Sequence, residues 1–169
     1  MSVMADALRT ARLDLRGFED SDANELHEIF SDPATHTIGD GPITDMDFTR
    51  DWIRRRRQRR HEYGVAWYSV RLVGTETMIG NAGLFTGRTG PHPELGFEIR
   101  RDYQRQGYGR ESASAVLAEA FRAGFEQVWA TVRDWNESSL RALHSLGFER
   151  ERVEADVRGP LIYLSRSAA

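Results

Sequence analysis

Glu94-Leu-Gly-Phe-Glu-Ile-Arg-Arg-Asp-Tyr-Gln-Arg-Gln-Gly-Tyr-Gly-Arg-Glu-Ser-Ala113 is the stretch whose reading decides the fold. Leu95, Phe97 and Ile99 alternate with other residues, which is the period of a β-strand. Further on, Ala113, Val116, Leu117, Ala120 and Phe121 recur at helical spacing and predict one apolar helix face. Between them lies a polar loop with Gly107 and Gly109. Absent side chains let backbone N–H groups approach a ligand, and the first turn of a helix leaves donors unpaired. Together these favour an anion, most naturally a phosphate. Arg105 and Arg110 flank the glycines and can clamp the same charge. A glycine-softened loop that holds no ligand is the plainer alternative.

Two better-known phosphate loops do not fit. The Walker form needs Gly-Lys-Ser/Thr, and the chain contains no lysine. The dinucleotide fingerprint G-x-G-x-x-G is nearly met by Gly107-Tyr-Gly-Arg-Glu-Ser112, but Ser112 fills the place of the third glycine. The segment also comes late in the chain, with no second βαβ half behind it.

Working outward, the 169 residues are enough for one domain with one core, and 40% hydrophobic residues is ordinary for a globular protein. A net charge of −3 gives no general attraction to nucleic acid or an anionic membrane. Without cysteine there is no disulfide, no thiolate metal site and no acyl-cysteine intermediate. No apolar run of membrane-spanning length and no signal-peptide pattern occurs, so a cytoplasmic protein is expected.

Toward the amino end, Leu13 and Leu15 predict a half-buried edge strand. Asp20 or Ser21 can cap a helix carrying Leu26, Ile29 and Phe30, which Asp32-Pro33 ends. Residues 34–43, with His36, Gly39, Gly41 and Pro42, form an irregular stretch that either borders a substrate mouth or is a plain connection. Thr44-Asp-Met-Asp47 has capping-box spacing and opens a helix bearing Phe48, Trp52 and Ile53. Its far half, residues 54–60, is nearly all arginine and reads as a solvated face. A functional variant of that reading has it attract an acidic substrate or RNA. Residues 65–73 and 78–85 predict a hairpin about Gly74-Thr75, and a turn over 87–93 leads into the deciding strand. A short strand over 128–132 follows the central helix, giving a parallel pair with a crossover. Asn136 can cap a last helix with Leu140, Leu143 and Leu146 inward and Gly147 as its stop. An antiparallel pair, 148–157 and 161–165, closes the chain.

Gln104-Arg-Gln-Gly-Tyr-Gly109 resembles the acetyl-CoA signature Q/R-x-x-G-x-G/A of the GNAT N-acetyltransferase superfamily. Arg12-Leu-Asp-Leu-Arg16 with Asp20-Ser-Asp-Ala23 is similar to that superfamily's first strand and helix entry. Glu94-Leu-Gly-Phe97 is similar to its fourth strand, and Asn136-Glu-Ser-Ser139 with Leu146-Gly-Phe148 to its late helix and the next strand. The resemblance covers roughly residues 11–165 and is nearest to the ribosomal-protein alanine and serine N-acetyltransferases.

It implies a single α/β domain over residues 1–169: a mixed, mostly antiparallel sheet with a splayed central parallel pair, flanked by helices. It also implies acetyl-CoA as co-substrate and a primary amine as acceptor, either a peptide N-terminus or a small molecule. No membrane or nucleic-acid partner is implied, and a homodimer is left open. Carried over, backbone groups of Phe97, Glu98 and Ile99 would hold the pantetheine arm, and one N–H would polarise the thioester carbonyl. Gln104, Arg105, Gln106, Gly107, Tyr108, Gly109 and Arg110 would hold the pyrophosphate. Asn136, with Ser139 beside it, would contact the cofactor.

Acetyl transfer also needs an unprotonated amine, and a lysine-like amine has a pKa of ~10.4. One branch of the superfamily has a glutamate on the fifth strand where this chain has Thr131. Many members have a tyrosine in the late helix where it has Leu143. Glu94 and Glu98, at i and i+4 of one strand, share a face and are the candidate bases. Their plainer reading is a pair of exposed carboxylates salt-bridged to arginine. Ser139 is a candidate acid for the departing thiolate, and His92 an alternative base. The expected activity is direct transfer in a ternary complex; the alternative is an inactive acyl-CoA-binding sensor or interaction module.

Overall fold

The computed structural model describes residues 2–36 and 41–169, so Gly39 of the irregular stretch lies outside the described residues. Its strands are β1 (Ala7–Arg9), β2 (Leu13–Gly17), β3 (Trp67–Leu72), β4 (Met78–Gly87), β5 (Gly90–Ile99), β6 (Gln127–Arg133), β7 (Glu149–Asp156) and β8 (Gly159–Ser167). They form a single sheet in the order β1-β2-β3-β4-β5-β6-β8-β7. Every neighbouring pair is antiparallel except β5 and β6, which run parallel. The helices are α1 (Ala23–Ser31), α2 (Met46–Tyr63), α3 (Tyr108–Arg122) and α4 (Glu137–Ser145). The mixed sheet with one central parallel pair, flanked by helices in a single α/β domain, is the architecture expected above.

Successive residues of β5 point to opposite faces, and that alternation sorts the helices. A Cβ built on Gly109 of α3 would stand 3.4 Å from the Phe97 ring, so α3 covers the face of Phe97. There Ala113, Val116, Leu117 and Ala120 join the main core with Leu84, Leu95 and Val128. The other face carries Trp67, Gly83, Phe85, Glu94, Gly96 and Glu98, residues that stand opposite one another along the β3–β4 and β4–β5 ladders. Trp67 lies across it: a Cβ on Gly96 would be 2.6 Å from Trp67 Cη2, so only glycine fits beneath the ring. Trp67 meets Trp52 of α2 edge-on at 5.8 Å and packs against a second cluster that includes Leu26, Phe30 and Ile53.

Several local expectations change. Leu13 and Leu15 are buried inside the sheet, because β1 takes the edge position. The cap of α2 is Asp45, which accepts from the Asp47 N–H at 2.9 Å; Thr44 is one residue too early. Phe48 is 42% exposed and does not join the buried stripe of Thr49, Trp52 and Ile53. Before α1, Glu19 and Asp22 cap each other across a 3-10 turn, replacing Asp20 or Ser21. Asp22 also pairs with the buried Arg71 at 2.9 Å. The turn before β5 shrinks to residues 88–89, because Gly87 and Gly90 already pair across the strands. Among the described residues, no helix is long and apolar enough to cross a membrane.

Candidate active site

The site begins where β5 and β6 part. Their parallel register consists of the single pair Glu94–Trp129. Past it, the β6-facing backbone edge of residues 95–99 has no strand beside it among the described residues. Its N–H and C=O groups, apart from the Ile99 carbonyl, are therefore open to a ligand. A cleft of about 860 Å³ opens over this gap, lined by Glu94, Phe97 and Glu98 of β5, Thr131 of β6, and Asn136 and Ser139 at α4.

Beyond the end of β5, Gln104 Nε2 donates to the Ile99 carbonyl at 2.9 Å and turns the chain toward α3. Gly107, at φ +82°, is the N-cap of α3, a conformation that costs a side-chain-bearing residue ~1–2 kcal/mol. The first helical hydrogen bond is Glu111 N–H to Gly107 C=O. Among the described residues, the N–H groups of 105–110 meet no acceptor. Six free donors in a row at a helix start are the arrangement that suits an anion. Arg12 pins it from β2: it donates to Glu111 Oε1 at 2.7 Å and to the Gln106 carbonyl at 3.0 Å, and covers the Tyr108 ring at 4.3 Å. Arg110 donates to Ser145 Oγ at 2.7 Å, tying the loop to α4. Gly107 and Arg110 border a second, more open hollow of about 770 Å³ outside the cleft. A Cβ on Gly109 would point at Phe97 and Ile99, at 3.4 and 3.6 Å, so a side chain there faces the core.

The two carboxylates do share one face, but neither is an exposed strand carboxylate. Glu94 is 2% exposed. Thr131 Oγ1 donates to its Oε1 in a short hydrogen bond, and Arg88 Nη1 donates to that hydroxyl at 3.1 Å. Oε2 has no hydrogen-bond partner among the described residues; Arg88 Nε stands 3.8 Å from it. Burial pushes the carboxyl pKa above its ordinary 4.5, outweighing Thr131 and Arg88, which pull the other way. Thr131 thus orients a glutamate that reaches the strand gap from β5, where the superfamily branch places one on the neighbouring strand. Glu98 is engaged at both oxygens: Asn81 Nδ2 donates to Oε1 at 3.0 Å and His36 Nδ1 to Oε2 at 2.9 Å.

Asn136 caps α4, accepting from the Ser139 N–H at 3.3 Å, and both residues line the cleft. Leu143 lies against the same wall. His92 sits in the β4–β5 hairpin, its carbonyl accepting from Thr89 Oγ1 at 2.8 Å, and does not line the cleft. Other cleft residues take roles that the sequence did not assign, His36, Tyr163 and Arg56 among them. His36 reaches Glu98 across 62 positions, for which no local signal exists. Tyr163 faces Thr131 across the β6–β8 ladder and bonds Glu154. Arg56, inside the run read as solvated, turns inward against Trp52 and Trp67, each ring centroid 4.9 Å away.

The fold thus sets a parting strand pair beside a glycine-bounded helix start, with a buried carboxylate in the gap. The family model for the acetyltransferase (GNAT) domain matches residues 12–149, and the chain belongs to that family. A relative in Bacillus subtilis, the uncharacterised N-acetyltransferase YoaA, is 30% identical over 89% of this chain and 86% of its own length. A GNAT-family protein from Bordetella pertussis superposes with a TM-score of 0.85 at 22% identity, covering 96% of this chain and 100% of its own. RimL, a ribosomal alpha-N-protein acetyltransferase solved in complex with coenzyme A, superposes with a TM-score of 0.83 at 16% identity over 95% and 97% of the two chains.

Proposed function

We infer that this acetyltransferase moves the acetyl group of acetyl-CoA directly to a primary amine, with Glu94 as the base. The observation that carries the reading is the Glu94 carboxylate in the strand gap. One oxygen is oriented by Thr131, and the other is left without a hydrogen-bond partner among the described residues. A base needs a free lone pair and a pKa moved toward working pH, and burial moves Glu94 that way. Glu98 has neither oxygen free.

The residues fit acetyl-CoA. The unpaired N–H groups of 105–110, with Arg105 and Arg110, suit its pyrophosphate, and the open edge of residues 97–99 suits the amides of its pantetheine arm. Acetyl-CoA supplies an activated thioester. A backbone N–H on that edge polarises the carbonyl, a role typically worth ~3–4 kcal/mol per donor. Glu94 takes the proton of the attacking amine. Ser139, which lines the cleft with Asn136, returns a proton to the departing thiolate in this reading. The acceptor is a peptide N-terminus, as in RimL, or a small amine. Thiol release from acetyl-CoA, measured with a panel of small amines and free-N-terminal peptides, tests this: one amine should raise release well above the amine-free rate. Equal release with and without every amine refutes it.

A second base has one specific observation in its favour: His36 is oriented by Glu98 and lines the same cleft, which is the geometry of a base with its orienting carboxylate.

A further inference from the structure

Most arginines of α2 face water or carboxylates. Arg54 pairs with Asp51 at 2.7 Å, Arg57 with Asp20 at 3.1 Å and Arg60 with Asp6 at 3.0 Å. Arg56 does none of this. Its guanidinium is held among three rings, 4.9 Å from Trp52 and from Trp67 and 5.8 Å from Phe85. Its Nε is buried without a hydrogen-bond partner, and no carboxylate among the described residues pairs with it. Rings attract a cation through their faces, but they leave the in-plane donors of the guanidinium fork unused. Burying a charge without a counter-charge is unfavourable, and an apolar residue would fill the place without that cost. Burial, followed by Arg55 and Arg59, pulls the Arg56 pKa down to about 10, so it remains a cation at neutral pH.

Arg56 also faces the cleft that holds Glu94. Two other cations that line it are engaged: Arg88 donates to Thr131 and stands beside Glu94, and Arg133 is clasped by Asp156 at 2.8 and 2.9 Å. Arg55 also lines the cleft, but it lies over the ring of the exposed Phe48 at 5.3 Å and away from the Trp52–Trp67 rings. We propose that Arg56 is the anion anchor of the acceptor subsite, and that the acceptor is a primary amine carrying a carboxylate. Phe85 sets the spacing. It stands opposite Glu94 in the β4–β5 ladder, and its ring lies 5.8 Å from the Arg56 guanidinium and 5.9 Å from that of Arg88. With its amine at Glu94, the acceptor crosses one aromatic ring to reach Arg56. Amine and carboxylate are therefore joined by a chain and do not share one carbon. The amine half of this rests on the transfer reading above; the carboxylate half does not.

The test uses ω-amino carboxylic acids of increasing chain length against the matching ω-amino amides, and free-N-terminal peptides with glutamate against glutamine near the start. Wild type should show about a ten- to hundredfold lower KM for acids, the span of one charge-assisted hydrogen bond. Arg56→Gln should abolish that preference while kcat and acetyl-CoA affinity stay within about twofold, and Arg55→Gln should keep it. Whether the free acids or the peptides carry the preference identifies the source of the carboxylate. An acid-to-amide ratio near one in wild type, or one unchanged in Arg56→Gln, overturns the proposal. If no amine is turned over, the transfer reading fails, and calorimetry with N-acetylated ω-amino acids and coenzyme A decides the rest. Binding to wild type that is lost in Arg56→Gln supports the anchor, and equal or absent binding overturns it.

Discussion

Replacing Glu94 by glutamine separates chemistry from architecture in one step. The amide keeps the size of the side chain and an oxygen for Thr131 Oγ1, so the packing around a residue 2% exposed is preserved. It cannot accept a proton. A general base typically contributes ~10²–10⁴ in rate, or ~2.7–5.5 kcal/mol of barrier, and turnover at neutral pH should fall by that much. The deficit should shrink as pH approaches the amine's own pKa, because free amine then forms unaided. Stability should move the other way. Burial raises the Glu94 pKa, so folding favours its protonated form. That stability is present in full below the unfolded value of ~4.3 and is lost as pH rises through the folded value, at ~1.4 kcal/mol per pKa unit. Glutamine has no such loss. Thermal unfolding at stepped pH should therefore show the variant matching wild type at the acid end and exceeding it near neutrality. Steady-state rates over the same range should show the acid limb of kcat in wild type and its absence in the variant. Full turnover in Glu94→Gln across that range, with unfolding curves parallel at every pH, would refute the reasoning.

Gly107→Ala forces a Cβ into φ +82° and to 3.2 Å from Arg12 Nη2, so it should cost ~1–2 kcal/mol by thermal unfolding and weaken acetyl-CoA binding by calorimetry. Gly109→Val presses on Phe97, so any loss of acetyl-CoA affinity should come with ~1–3 kcal/mol of overpacking in the same unfolding assay. If Glu94 is the base, His36→Asn should leave kcat within about twofold, ~0.4 kcal/mol; a hundredfold loss with a shifted pH profile transfers the role to His36. Arg71→Leu leaves Asp22 buried without its partner and should destabilise by ~3–5 kcal/mol in denaturant titration, since the Arg71 side chain is 3% exposed.

What was legible in the sequence was whatever repeats locally. Leu95, Phe97 and Ile99 alternate, the α3 apolar positions recur at helical spacing, and Gly107 marks the turn between them; each stands where its period placed it. β1 was missed because three residues, Ala-Leu-Arg, hold no measurable period. Glu94 was read as a candidate base, with an exposed carboxylate as the plainer alternative; its burial was not legible, because no local pattern tells that β5 and β6 part beside it, or that Thr131 waits across the gap. Arg56 was hidden inside a run of its own kind. The signal was present: Trp52 lies four residues before it and Thr49 seven, so the buried stripe of α2 runs straight through Arg56. The His36–Glu98 contact joins distant segments, and only the folded chain brings them together.

The central claim is transfer, beyond mere binding of the thioester. Its most direct measurement follows an isotopic label on the acetyl group of acetyl-CoA, identifying products by mass spectrometry after incubation with the amine and peptide panel. The account predicts label on the nitrogen of at least one primary amine, in step with coenzyme A released, and little label transferred by Glu94→Gln near neutral pH. Saturable acetyl-CoA binding with no label on any amine would contradict it and leave an acyl-CoA-binding module in place of an enzyme.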